Sequence, residues 1–186
     1  SYNKTHGLAD NNIRSLLQDT KDNLWIGTSI GISSFNGVSF HNYDKKDSLP
    51  NAIYFQILED NKGRIWALGD DQNNRFLMQY NNGHFYDFGD KHPELNKNNR
   101  VLSIFMDNEK TLFITTRNGL YTYIDEKLSR SDYNNLPEFA EQIIIPVLQD
   151  ASNQIWCRTL IPGYGNKSYR IENKKPIQIK LPDEIP

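Results

Sequence analysis

An aspartate stands six residues before a large aromatic at four places in this chain: Asp19 before Trp25, Asp60 before Trp66, Asp107 before Phe113 and Asp150 before Trp156. The aromatics are 41, 47 and 43 residues apart. Each lies in a related run: Asn23-Leu24-Trp25-Ile26-Gly27-Thr28, Arg64-Ile65-Trp66-Ala67-Leu68, Thr111-Leu112-Phe113-Ile114-Thr115 and Gln154-Ile155-Trp156-Cys157-Arg158. A repeat near this length means stacked units, each too small to bury its apolar face alone. The eight residues are read as structural anchors, with each aspartate accepting backbone N–H groups across a turn rather than ligating a metal.

Four short strands fit into each unit. The first holds Ile13–Gln18, Leu24–Thr28, Ile32–Phe35 and Val38–Tyr43, with Asn36-Gly37 as the hairpin signal between the last two. The second holds Ile53–Glu59, Arg64–Leu68, Phe76–Tyr80 and His84–Phe88. The third holds Val101–Met106, Leu112–Thr116, Leu120–Ile124 and Lys127–Arg130, and the fourth Ile143–Gln149, Ile155–Thr159, Ser168–Ile171 and Ile177–Leu181. Three residues after each anchoring aspartate stand Asp22, Gly63, Lys110 and Asn153. Lys110 is not a residue that favours positive φ, so the third turn is expected to differ. Adjacent apolar pairs in the first strands, such as Leu16-Leu17 and Ile57-Leu58, indicate strands buried on both faces. Four-stranded sheets with neighbours on both sides make an all-β fold, a β-propeller of four consecutive antiparallel blades over about 11–43, 51–88, 99–130 and 142–181. Residues 183–186 read as a lead-in to a further blade. A solenoid is the alternative for the period, but tight antiparallel hairpins fit a blade better.

Composition narrows the function. With 186 residues and net charge −2, the chain has one domain's length and no electrostatic case for nucleic acid or a membrane surface. Ten tyrosines, nine phenylalanines and three tryptophans supply large buried area. The lone Cys157 excludes an internal disulfide and aligns with Ile26, Ala67 and Ile114, which are core positions. There is no long apolar run and no signal peptide, and the polar start reads as that of an excised piece or a mature form. His6, His41, His84 and His92 do not fall at matching repeat positions, no metal or other cofactor is implied, and no catalytic constellation stands out.

The run from Gly7 to Gly37 resembles the two-component regulator propeller repeat. Gly7, Leu8, Asn11, Ile13, Asp19, Asn23, Leu24, Trp25, Ile26, Gly27, Thr28 and Gly31 carry the match. The second unit keeps Asp60, Gly63, Ile65 and Trp66, the third keeps Asp107, Thr116, Asn118, Gly119 and Leu120, and the fourth diverges after Trp156. The resemblance implies a periplasmic sensor segment of a hybrid two-component protein, tethered to the inner membrane in its parent. It also implies a larger, seven-bladed propeller and a glycan fragment as ligand. The histidine kinase would lie outside this chain. Partners expected are a small molecule or oligosaccharide, and further blades or a second copy covering the open blade faces. Nucleic acid and direct membrane contact are not expected.

Propeller ligands usually meet the loops that enter the first strand and join the second to the third. Those loops supply Asn12, Arg14, Asp70, Arg75, Arg117, Asn118, Arg158 and Tyr164 as candidate binding residues, besides Thr28, Ser29 and Asp71. Guanidinium forks and tyrosine rings suit a carbohydrate or a carboxylate, with ordinary solvated loop residues as the alternative for each. A protein-interaction or dimerisation scaffold is the second reading of the chain, and a streptogramin-lyase-like enzyme the third.

Overall fold

The computed structural model describes residues 2–95, 99–161 and 165–179. Sixteen strands among them form four antiparallel sheets, each with its strands side by side in sequence order. The first sheet holds β1 (Ile13–Gln18), β2 (Leu24–Thr28), β3 (Ile32–Phe35) and β4 (Phe40–Tyr43), and the second holds β5 (Ile53–Glu59), β6 (Ile65–Asp70), β7 (Arg75–Asn81) and β8 (His84–Asp87). The third holds β9 (Val101–Met106), β10 (Leu112–Thr116), β11 (Gly119–Ile124) and β12 (Lys127–Arg130). The fourth holds β13 (Ile143–Gln149), β14 (Ile155–Ile161), β15 (Gly165–Glu172) and β16 (Lys175–Ile179). The chain divides into two compact units, residues 1–101 with the first two sheets and 102–186 with the last two.

Turn chemistry shapes each blade. After every first strand the same tight turn recurs: Asp22, Gly63, Lys110 and Asn153 all have positive φ, at 64°, 72°, 67° and 60°. Each donates its N–H to the carbonyl of the aspartate three residues earlier. The expectation of a different third turn is therefore wrong. Lys110 takes the left-handed conformation at its steric cost, because the flanking ladder and Asp107 impose it. Three outer hairpins close with two residues in that region, Asn82-Gly83, Asp125-Glu126 and Asn173-Lys174, which suits the twist of the strands. The Asn36-Gly37 turn is wider than the sequence suggests. Asn36 Oδ1 accepts both Val38 N–H and Ser39 N–H, so β4 starts at Phe40 and Val38 is an exposed tip. In the fourth sheet the ladder continues to an Ile161–Gly165 pair, past the Thr159 and Ser168 expected from sequence. The region expected to lead into a further blade lies outside the described residues.

Within the first unit, β5 packs against β1 and β2, and Trp25, Tyr43, Tyr54, Ile57, Met78 and Phe85 share one core. Trp25 stacks on Tyr43 at 5.4 Å and meets Tyr80 of the next blade edge-on at 4.9 Å. Within the second unit, β13 packs against β10 and β11 around Phe113, Leu120, Phe139, Ile144, Cys157 and Tyr169. Burial pushes the Cys157 thiol up to about 12, so it behaves as an inert core residue.

One expectation about the first strands fails. Leu16 on β1 is 61% exposed and Ile13 41%, while Val147 and Leu148 on β13 are 54% and 47% exposed. β1 is covered on one face only, because it packs against a single partner sheet in its unit, whereas β13 loses cover only at its Val147-Leu148 end and keeps Ile144, Ile145 and Pro146 buried. The innermost strands also carry bulges that periodicity does not reveal: the register shifts between Ile13 and Ser15, Tyr54 and Gln56, and Pro146 and Leu148.

Candidate functional site

The Asp-to-aromatic spacing is a hydrogen bond. Asp19 Oδ2 accepts the Trp25 indole N–H at 2.8 Å, Asp60 Oδ2 that of Trp66 at 2.9 Å, and Asp150 Oδ2 that of Trp156 at 2.8 Å. The other carboxylate oxygen accepts the backbone N–H groups of the turn, from Lys21 and Asn23 in the first blade and from Lys62 and Arg64 in the second. Burial raises the carboxyl of Asp19, but the Trp25 and Asn23 hydrogen bonds outweigh it and hold the group below the usual range. The Trp156 bond, followed by the turn N–H groups, does the same at Asp150. Phe113 has no such donor, and there burial dominates and raises Asp107. These carboxylates brace the turns and are not free to bind a ligand.

In an up-and-down sheet, the β2–β3 loop and the connection leaving β4 lie at one end, opposite the aspartate turns. A cleft of about 500 Å³ opens there in the first unit, between Ala9, the Ile30-Gly31 loop and the stretch Asp44 to Asn51. Buried Leu49 and half-exposed Ile30 supply apolar walls, while Lys45, Lys46 and Asn51 are exposed on the rim. The rim is held in shape. Asp44 caps the turn over Lys45–Asp47 through Lys46 N–H at 2.7 Å, and Asn42 ties Gly7 to Ser33 through its amide. A smaller cleft of about 210 Å³ occupies the corresponding place in the second unit, between Arg117-Asn118-Gly119, Arg130, Asn134 and the Glu141-Gln142 pair.

The candidates divide accordingly. Arg117 and Asn118 line the second cleft. Asn12 and Arg14 stand beside the β2–β3 loop of the first blade: the Asn12 carbonyl accepts Ser29 N–H, and Arg14 Nε donates to Ser29 Oγ at 3.0 Å. Asp70 and Arg75 are joined in a brace. Asp70 Oδ2 accepts Arg75 Nε at 2.9 Å and Arg100 Nη2 at 2.7 Å, and the Arg75 guanidinium lies 4.8 Å from the Phe55 ring centre. Burial raises Asp70, but the bond from Arg75, the Gln72 N–H and the charge of Arg100 hold it low. Arg158 is exposed on β14, between Ile145 and Ser168 in the ladder. Tyr164 lies outside the described residues. Sequence reasoning missed Lys45, Lys46, Arg100, Arg130 and Gln142, because each reaches its site through a connection whose path no period encodes. Among the described residues no three His, Cys, Asp or Glu side chains gather as a metal site. No helix among them is long and apolar enough to cross a membrane.

Residues 7–29 match the profile of the family described as two component regulator propeller. The chain carries a two-component regulator propeller repeat. Among solved structures it is similar to the extracellular domain described as that of the hybrid two component system BT3049 from B. thetaiotaomicron, at 19% identity and a TM-score of 0.64, over 96% of this chain and 23% of that one. It is similar to the corresponding domain of BT4673 from the same organism, at 20% identity and a TM-score of 0.62, over 99% and 31%. It is also similar to PorZ, a surface component of the type-IX secretion system of Porphyromonas gingivalis, at 13% identity and a TM-score of 0.62, over 96% and 29%. Identities this low establish the fold, and the fold is a β-propeller's: four four-stranded antiparallel blades. The chain spans less than a third of the length of each of these structures. No curated protein matches the sequence.

Proposed function

We propose that this regulator propeller chain is the ligand-sensing part of an extracytoplasmic domain in a hybrid two-component signalling protein, tethered to the inner membrane by its parent. In this reading it binds a glycan fragment and has no catalysis of its own. The observation that carries the reading is the pair of clefts, at the β2–β3 loop in the first unit and at the β10–β11 loop in the second, each with polar groups around its mouth. The larger has the volume of a small-ligand site and apolar walls for the C–H faces of a sugar, with lysines and an amide at the rim for its hydroxyls. The extracellular domains it resembles support the extracytoplasmic placement. Isothermal titration with a panel of oligosaccharides tests this. Binding that Ile30→Asp or Lys46→Glu weakens at least about tenfold is expected, and no heat with any glycan in the complete propeller would remove the sugar reading.

The interaction-scaffold reading has one observation in its favour, the exposed apolar side chains Ile13 and Leu16 on β1. We assign that face to a further blade of the parent chain, since stacked blades bury this strand on both sides.

A further inference from the structure

We propose that the second unit's cleft is a subsite for a carboxylate-bearing sugar, a uronate residue at the end of the glycan. This rests on the glycan reading and adds a ligand class to it. Two arginines from different elements line it. Arg117 is in the β10–β11 turn, and Arg130 ends β12, four residues past the Asp125-Glu126 turn that returns from β11. The fold of the β10–β11 turn brings Arg130 beside it: a Cβ added to Gly119, whose φ is 130°, would lie 3.1 Å from Arg130 Nη2 and 2.7 Å from Asn134 Oδ1. Asn134 is fully occupied in holding the turn, donating to the Leu120 and Ser131 carbonyls and accepting Leu120 N–H. The Arg117 and Arg130 guanidiniums have no hydrogen-bond or ion-pair partner among the described residues. Elsewhere the guanidiniums that line polar corners are paired, as Arg64 is with Asp60, Arg75 and Arg100 with Asp70, and Arg170 with Glu172.

The cleft's own acid is Glu141, so one carboxylate faces two guanidiniums and a net positive charge remains. A planar carboxylate suits such a pair, because each fork can offer two N–H groups to it. Gln142 adds the second requirement. Its Nε2 donates to the Glu138 carbonyl at 2.8 Å, while its Oε1 is buried with no hydrogen-bond partner. An acceptor in that condition calls for a donor such as a hydroxyl. A carboxylate beside a hydroxyl, in a space of about 210 Å³ that holds one end of a larger ligand, describes a terminal uronate.

The test is titration of the full chain with galacturonate, glucuronate and mannuronate oligomers, each compared with its own methyl ester, which keeps the sugar and removes the charge. At least one acid is expected to bind at least about tenfold more tightly than its ester, as charge-assisted pairing requires. Arg130→Gln and Arg117→Gln should each bring the two affinities together, and Glu141→Gln should strengthen acid binding. All three side chains are exposed, so thermal melts of the variants should match the parent. Equal binding of every acid and its ester overturns the uronate subsite while leaving the glycan reading intact. Acid preference that survives both arginine substitutions overturns its placement in this cleft. Binding of no uronate, as acid or ester, overturns the uronate subsite, and the glycan reading falls with it only if the wider oligosaccharide panel also gives no heat.

Discussion

A carboxylate facing an indole N–H and a carboxylate facing a phenyl ring answer differently to the same substitution. In Asp19→Asn, one amide oxygen can still accept the turn N–H groups, but the amide nitrogen then points at the Trp25 N–H, donor against donor. A loss of about 1–3 kcal/mol is expected in urea unfolding. In Asp107→Asn the side-chain donor opposite is the Thr111 hydroxyl, which can turn to accept from the amide, and removing a buried charge offsets the weaker turn bond, so the change should stay within about 0.5 kcal/mol. The pH dependence follows the same division. Asp19 and Asp150 are held low, so the stability they add is present above the unfolded carboxyl pKa and is lost as pH falls through their folded values. Asp107 is raised, so its contribution favours the fold at low pH and disappears as pH rises through its folded value. Carboxyl-carbon NMR titration distinguishes the groups directly, and Asp107 titrating below Asp19 would contradict the role given to the indole. The left-handed turn gives a second residue-scale prediction. Lys110→Asn places a residue that tolerates φ of 67° where lysine is strained, and should raise stability by about 0.5 kcal/mol. A fall in the melting temperature would mean that the turn is not held in this conformation.

At the scale of strands, blades approach each other through one carbonyl of the first strand, which in the second blade lies at the bulge. Tyr54 O in the second blade accepts Ser15 Oγ from the first at 3.1 Å, and Ile144 O, at the same repeat position in the fourth, accepts Thr115 Oγ1 from the third at 2.9 Å. Gly27 aligns with Thr115 and leaves room for the first arrangement. A Cβ there would stand 2.3 Å from Tyr54 O and 2.2 Å from Ser15 Oγ. Gly27→Ala must therefore displace strand from strand, at about 2–3 kcal/mol, whereas Gly31→Ala, whose nearest atom is 3.4 Å away, should cost under about 1 kcal/mol. Equal melts for the two variants would refute the contact. The glycine of the Asn-Leu-Trp-Ile-Gly run was legible in the sequence, but its reason was not, since it depends on a bulge in another blade. The same limit applies to the site. Strand ends such as Ile13–Gln18 and Val101–Met106 could be read because apolar side chains and turn residues bound them locally. Arg117 and Asn118 could be read because they occupy the β10–β11 loop, the third blade's counterpart of β2–β3. Arg130 could not, because only the path of the turn beside Gly119 brings it across, and the pairing of Asp70 and Arg75 with Arg100 joins residues up to 30 positions apart.

For the whole molecule, the question is what lies over the inner strand of the first blade. Leu16 is 61% exposed, so replacing it with lysine removes little buried surface from this chain, and stability should change by no more than about 0.5 kcal/mol. If another blade covers β1 in the parent protein, the same lysine enters a packed sheet interface. It then forfeits the burial of a leucine and must either bury its charge or distort the contact, at about 2–4 kcal/mol. Thermal melts of Leu16→Lys in this chain and in the longer protein separate these cases, with Val38→Lys, at an exposed hairpin tip, as the control that should be silent in both. A loss confined to the longer protein places a blade on that face. If the melts are unchanged in both and sedimentation shows no concentration-dependent association of the parent chain, β1 stays open to solvent, and its apolar row must be explained by a partner other than a blade.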